Sequence, residues 1–348
     1  MNFQMWLKAL KVIPRISKEE WEQLDVVSRW LILTRAAVLV MTLTSAVIGG
    51  LLTIIAGKGL FNGWRFALVI LGLVFAHATN NLVNDYTDYK KGVDKNNYFR
   101  TQYGPQALDS NLLSEKQFMG YAAFTGGIAA LAGLILILTQ ASTTPGSPWV
   151  TLGLMAAGAI FVLFYTWPLK YIGLGELTVF LVWGPLMIAG GFYAISGVWS
   201  WGAVAASIPY SLATVTVIFG KHIDKRIEDK AKHIYTVPVI LGETISRAII
   251  LILMALQYIL PVVFIFLVPR YFSWIMLLVF ITPLLIKKQE RKMIWSILTH
   301  PRPTEPPADA KDMWPLWNVA AAMMHTRIYG GVFALAMILQ TIFWPLIH

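Results

Sequence analysis

Two short segments crowd carboxylates, amides and cations into a chain otherwise built to sit in lipid. The first runs Asn80-Asn81-Leu82-Val83-Asn84-Asp85-Tyr86-Thr87-Asp88, with Asp94 a little further on. The second runs Lys221-His222-Ile223-Asp224-Lys225-Arg226-Ile227-Glu228-Asp229. Each directly follows an apolar run of membrane-spanning length. Carboxylates at the edge of hydrocarbon are costly and read as functional. Two such clusters with cations beside them point to divalent ions that hold a phosphorylated substrate against a membrane.

On a helix continued past Leu82, the residues Asn81, Asp85 and Asp88 fall at i, i+4 and i+7 and share a face. His77 and Asn84 flank that face. Packed carboxylates raise one another's pKa unless a cation neutralises them. Mg²⁺ takes one or two carboxylates, several waters and phosphate oxygens. The competing reading is a solvated loop, because Asn-Asp-Tyr-Thr-Asp is also turn chemistry. His77 reads as a buried polar contact rather than a metal ligand.

In the second segment Asp224 and Glu228 are i and i+4 and share a face with Lys221, while Asp229 is turned about 100° further round. Taken alone, this is equally a surface helix with weak, solvent-screened ion pairs. Cations suited to a diphosphate are Lys91, Arg100, Lys221, Lys225 and Arg226, lysine as a point charge and arginine as a bidentate fork. Any of them also serves ordinary positive-inside topology. Arg35 is more informative. It stands near membrane depth, where an unpaired guanidinium is expensive unless it snorkels to the interface.

The elements that must position these groups follow from composition. The 348 residues are 57% hydrophobic and only 13% charged, with mean hydropathy +0.63. A soluble domain is nearer half apolar and a quarter charged, so the excess must face lipid. Nine apolar runs lie at 32–56, 64–82, 118–139, 149–166, 176–198, 202–220, 248–268, 272–287 and 327–347. Most reach the ~20 residues a spanning helix needs, and the run at 272–287 is short. The expected fold is all-α: a polytopic bundle of about nine transmembrane helices (residues 30–348), preceded by a cytoplasmic or interfacial segment (residues 1–29) that reads as an amphipathic helix. No soluble domain is expected, and the gap 288–326, with Pro301, Pro303, Pro306 and Pro307, reads as a loop. Lys and Arg concentrate in alternate loops, which places the N-terminal side and both acid segments on the cytoplasmic face. Cysteine is absent, excluding disulfides, thiolate metal sites and a cysteine nucleophile. The net charge of +10 reports cytoplasmic loops and anionic headgroups, not nucleic acid.

The residues then match a known pattern. Asn81-Leu82-Val83-Asn84-Asp85-Tyr86-Thr87-Asp88-Tyr89-Lys90-Lys91-Gly92-Val93-Asp94 resembles the first signature of the UbiA superfamily of intramembrane prenyltransferases, in particular the branch that prenylates dihydroxynaphthoate in menaquinone synthesis. Gly104-Pro105 with Leu112-Leu113-Ser114 resembles that branch's next loop, and Phe164-Tyr165-Thr166-Trp167-Pro168-Leu169-Lys170-Tyr171 with Gly173-Leu174-Gly175-Glu176 its loop between helices four and five. The second acid segment, ending at Thr236, Leu241 and Gly242, resembles its second aspartate motif. There are departures. Spacing favours Glu228 as the second acid, whereas register with Thr236 favours Asp229. His233 stands near an expected glycine, and His222 replaces a common arginine.

The resemblance implies Mg²⁺-dependent transfer of a polyprenyl group from its diphosphate to an aromatic acceptor such as a dihydroxynaphthoate, through an allylic cation. Asp85, Asp88, Asp224 and Glu228 or Asp229 would hold two Mg²⁺ ions, and Asn81 would complete the first site. Asn84, Arg35, Lys91, Asp94, Arg100, Lys221 and Lys225 would bind substrate, with Tyr165 and Lys170 at the acceptor end or on phosphate. The setting would be the inner membrane, with the site facing the cytoplasm. Alternatives are a sibling reaction on hydroxybenzoate, a haem or chlorophyll precursor or glycerol phosphate, a membrane terpene cyclase, a catalytically silent lipid binder, or an ion-coupled transporter. A transporter predicts acids in mid-helix, whereas these acids lie at helix ends. The enzyme readings require the two distant segments to meet.

Overall fold

A computed structural model describes residues 1–57, 59–93, 104–143, 146–305, 307 and 314–347. The chain opens with three short helices: α1 (Phe3–Lys11), α2 (Lys18–Glu22) and α3 (Val26–Leu33). Asp25 caps α3 by accepting from the Ser28 amide at 2.9 Å, and it also accepts from the Asn2 amide at 2.8 Å and Trp6 Nε1 at 3.1 Å. One carboxylate thus ties the start of α1 to that of α3, satisfying amides that a helix N-terminus leaves unpaired. Ala9, Trp21, Ile32 and Leu33 pack with Leu82 and Phe118, so this segment lies against the end of the helix carrying the first acid motif.

The spans follow in order: α4 (Ala36–Ala56), α5 (Gly63–Lys90), α6 (Glu115–Thr143), α7 (Pro148–Phe164), α8 (Gly175–Ser196) and α9 (Trp201–Asp224). Two short helices, α10 (Arg226–Ala231) and α11 (Val237–Leu241), precede α12 (Glu243–Leu267). Then come α13 (Trp274–Leu285), α14 (Lys288–Thr299) and α15 (Trp317–Ile347). Seven of these helices are long and apolar enough to cross a membrane, and α7 and α13 are shorter apolar helices, so the nine apolar runs all appear. The short eighth run is mostly a 3₁₀ helix, Trp274–Ile281, closed by one α-turn. Its greater rise per residue stretches twelve residues to ~22 Å, still less than the ~30 Å hydrocarbon layer.

Two expectations change. The gap 288–326 is not simply a loop: it holds α14, and α15 begins at Trp317, ten residues before the apolar run. Asn318, His325 and Thr326 lower the hydropathy of that stretch, yet all three are buried against the bundle.

Within α8, Pro185 removes an amide, and Val182–Ala189 widens into a π-helical segment. Neighbouring serines supply hydrogen bonds to carbonyls there: Ser211 Oγ donates to Phe180 O at 2.5 Å and Ser45 Oγ to Trp183 O at 3.0 Å. A membrane interior offers no water for this task. The core sits where α4, α8, α9, α12, α13 and α15 converge on Tyr210, Phe272, Tyr329 and Phe333.

Candidate active site

The helix α5 runs without a break from the lipid-facing stretch to Lys90, so Asn81, Asp85 and Asp88 do share a face. Each finds a partner on a different element. Asn81 Nδ2 donates to Thr34 O at 2.8 Å, Thr166 Oγ1 donates to Asn84 Oδ1 at 2.8 Å, and Lys170 Nζ lies 3.4 Å from Asp88 Oδ1. Asp85 forms an ion pair with Arg35. Arg35 does not snorkel; it is buried at the junction of α3 and α4. Its φ of 54° is in the left-handed region, which costs a non-glycine residue roughly 1–2 kcal/mol. The fold holds that conformation where it delivers a guanidinium to a carboxylate.

Tyr165 caps α7, and its carbonyl accepts the Lys170 amide at 3.0 Å, shaping the 3₁₀ turn Leu169–Ile172 that carries the buried lysine. Lys91 lies outside this cluster, exposed, its Nζ 4.5 Å from the centre of the Trp167 ring. Asp94 and Arg100 fall outside the described residues.

The second segment is not one helix. The helix α9 ends at Asp224, Lys225 takes a non-helical conformation, and α10 starts at Arg226. The expected shared face of Asp224 and Glu228 is therefore broken. Asp224 is turned to α15 instead. Its Oδ1 accepts from Asn318 N and Asn318 Nδ2, both at 2.9 Å, and its Oδ2 accepts from Val319 N at 2.9 Å. Amides at a helix N-terminus have no intrahelical partner and draw a carboxylate. Gly220 permits the approach, because a Cβ there would stand 2.7 Å from Asn318 O. Arg302 Nη1 donates to Asp224 O at 2.9 Å.

Asp229 is buried and lies 3.4 Å from Lys225 Nζ. Glu228 is half-buried, and its Oε2 is sealed from solvent with no hydrogen-bond partner among the described residues. His233 has φ 56°, so the position that resembles a glycine site does demand the left-handed conformation.

The two segments meet. Tyr165 is within electrostatic reach of Glu176, Asp88, Asp229 and Arg35. Lys221 is within reach of Arg35, Lys225, Lys170 and Asp88, and Lys232 donates to Val93 O just beyond the first motif. Arg35, Asn81, Asn84, Tyr165 and Lys221 line one end of a cavity of about 580 Å³. From there the cavity runs along α5 past His77, Gly72 and Leu68, between walls that are overwhelmingly apolar.

Among the described residues no three of the His, Asp and Glu side chains already form a metal-binding cluster. Asp85, Asp88 and Asp229 each face a cation instead. The carboxylates of Asp85, Asp88 and Asp229 near this end are hard oxygen donors, and Glu228, next to Asp229 in the chain, keeps a buried oxygen without a hydrogen-bond partner among the described residues. That set suits Mg²⁺ and leaves room for phosphate oxygens. Asp85, Asp88 and the Glu228–Asp229 pair fit such ions; Asp224, with both oxygens occupied, does not.

Sequence reasoning did not single out Thr166, whose signal is a hydroxyl inside the Tyr165–Lys170 loop. It also did not pair Glu176 with His222. Their Oε1 and Nδ1 are 2.7 Å apart in full burial, tying that loop to the end of α9.

A sequence profile described as the UbiA prenyltransferase family matches residues 38–296. The chain is 30% identical over 192 residues to 1,4-dihydroxy-2-naphthoate octaprenyltransferase of Mycobacterium tuberculosis, over 53% of this chain and 61% of that one. It spans about half to two-thirds of the length of the curated relatives it matches. An apo UbiA homologue of Aeropyrum pernix superposes with TM-score 0.61 at 17% identity, covering 87% of this chain and 98% of that one. A UbiA homologue of Archaeoglobus fulgidus bound to GPP and Mg²⁺ gives 0.53 at 14%, covering 89% and 99%. At these identities the superpositions establish the fold.

Proposed function

This chain belongs to the UbiA prenyltransferase family, and we propose that it transfers a polyprenyl group from a prenyl diphosphate to an aromatic acceptor, a quinone precursor of the dihydroxynaphthoate type. One observation carries the reading. Two segments more than a hundred residues apart set carboxylates and buried cations around the polar end of a single apolar cavity. A polar head with a long apolar tail matches that shape, and the relatives named for naphthoate substrates support the acceptor class.

In this mechanism Asp85, Asp88, Asp229 and Glu228 would hold Mg²⁺, with Asn81 and Asn84 oriented beside them by Thr34 and Thr166. Bound Mg²⁺ would neutralise charge on the leaving diphosphate. Arg35, Lys170, Lys221 and Lys225 supply positive charge to the same group. Arg35 pairs with Asp85 and Lys170 with Asp88, so both stay buried without an uncompensated charge. A bound diphosphate would draw both cations to its oxygens. Preorganised charge in a dry site favours ionisation of the allylic C–O bond. The apolar walls keep water from the cation until the electron-rich ring attacks. The ring then loses a proton, or CO₂ from a carboxylated acceptor. Asp224 serves as scaffold, fixing α15 to the end of α9. The site faces the cytoplasm, and the protein resides in the inner membrane, in keeping with its positive-inside loops.

The test is direct. Purified protein given a prenyl diphosphate, Mg²⁺ and dihydroxynaphthoate releases pyrophosphate and a prenylated product. Asp88→Asn lowers the rate by at least about 100-fold in protein that is still folded at the assay temperature, although the uncompensated Lys170 lowers its unfolding temperature, and excess chelator abolishes turnover. Product formation that persists in chelator refutes the metal role.

A further inference from the structure

His77 lies four residues before Asn81 on α5, about 6 Å further along the helix axis into the cavity. It is only 6% exposed and lines that cavity. Its Nδ1 is 2.7 Å from Thr42 Oγ1, and its ring stands edge-on to Trp183 with centroids 5.0 Å apart. The ring is therefore held by Trp183 and, through one nitrogen, by Thr42. Nε2, on the opposite edge of the ring, has no hydrogen-bond partner among the described residues, yet unlike the sealed orphan atoms of this fold it is not cut off from the cavity. Trp183 packs in a cluster with Val38, Met41, Val217 and Met323, all of which line the same cavity. An imidazole fixed this firmly, with one polar edge turned to an apolar chamber beside the phosphate end, is costly in hydrocarbon unless that edge meets a ligand.

We propose that His77 Nε2 hydrogen-bonds a ring hydroxyl of the aromatic acceptor, seating the ring against Trp183 and Met41 beside the diphosphate, and so selects hydroxylated rings. This rests on the prenyl-transfer reading above and adds to it the group that recognises the acceptor. The contact is neutral and directional, and it involves no bond to the prenyl donor. Loss of the contact therefore raises the acceptor KM and leaves the donor KM in place.

Two substitutions separate this role from packing. A glutamine amide reaches the position of Nε2, and an asparagine amide reaches that of Nδ1. His77→Gln therefore keeps the cavity-facing group, whereas His77→Asn keeps only the Thr42 contact. The assay measures both KM values and unfolding temperature, with dihydroxynaphthoate and its mono-O-methyl ether as acceptors. The expected result is a rise in acceptor KM of roughly three- to tenfold for His77→Asn, the weight of one neutral hydrogen bond, with little change for His77→Gln. Wild type discriminates against the ether more than His77→Asn does. The inference is overturned if acceptor KM and ether discrimination are the same in all three proteins, or if His77→Asn and His77→Gln lose donor affinity and stability together. A wild type that transfers prenyl groups to no hydroxylated ring overturns the parent reading, and this inference with it.

Discussion

Asp224→Asn distinguishes a metal ligand from a structural cap. Both carboxylate oxygens accept, two bonds on Oδ1 and one on Oδ2, all at 2.9 Å. An asparagine keeps a carbonyl for Asn318 but sets an NH₂ against the Val319 amide. One hydrogen bond to a charged acceptor is lost, about 1.5–3 kcal/mol. The negative charge at the N-terminus of α15 goes as well, about 0.5–1 kcal/mol. The sum, roughly 2–4 kcal/mol, corresponds to a fall in unfolding temperature on the order of 5 °C for a chain of this size. The assay is intrinsic tryptophan fluorescence against temperature in detergent, alongside initial rates in the cold over a Mg²⁺ titration. The variant is expected to melt early yet turn over at low temperature with an unchanged Mg²⁺ midpoint. A variant with wild-type stability and activity as low as Asp88→Asn would refute the reasoning and return Asp224 to the metal site.

Two further outcomes follow from the backbone and the N-terminal segment. His233→Gly removes a left-handed penalty of about 1–2 kcal/mol against a glycine entropy cost of about 0.5–1 kcal/mol, so chemical or thermal unfolding should show a modest net stabilisation. At Asp25, desolvation raises the carboxyl pKa, but hydrogen bonds from Ser28, Asn2 and Trp6 outweigh it and hold the group well below the usual carboxylate range. A depressed folded-state pKa contributes stability that is complete above the unfolded value near 3.9 and is lost as pH falls through the folded value. Protease sensitivity of residues 1–30 should therefore rise on acidification below about pH 4, and Asp25→Asn should show that sensitivity at neutral pH.

Much of the molecule was legible in one dimension. Every apolar run became a helix, because a backbone in hydrocarbon must satisfy its own hydrogen bonds and the helix does so locally. The acid segments were legible too, since charge beside hydrocarbon is conspicuous in any sequence. So was the shared face of Asn81, Asp85 and Asp88, which needed only continuation of α5 to Lys90. Residues buried by tertiary contacts were harder to read. The stretch 317–326 is polar enough to pass for loop, yet Asn318, His325 and Thr326 point into the bundle.

What only the folded chain decided was direction. Spacing placed Asp224 and Glu228 on one face, but that argument assumes an unbroken helix, and the break at Lys225 hands Asp224 to a helix N-terminus about ninety residues later in sequence. Arg35 beside Asp85, Lys170 beside Asp88 and the open edge of His77 are pairings between distant elements. Local propensity carries no information about such pairs; they exist because packing the helices leaves each buried charge or polar edge one neighbour, or one cavity, to answer to.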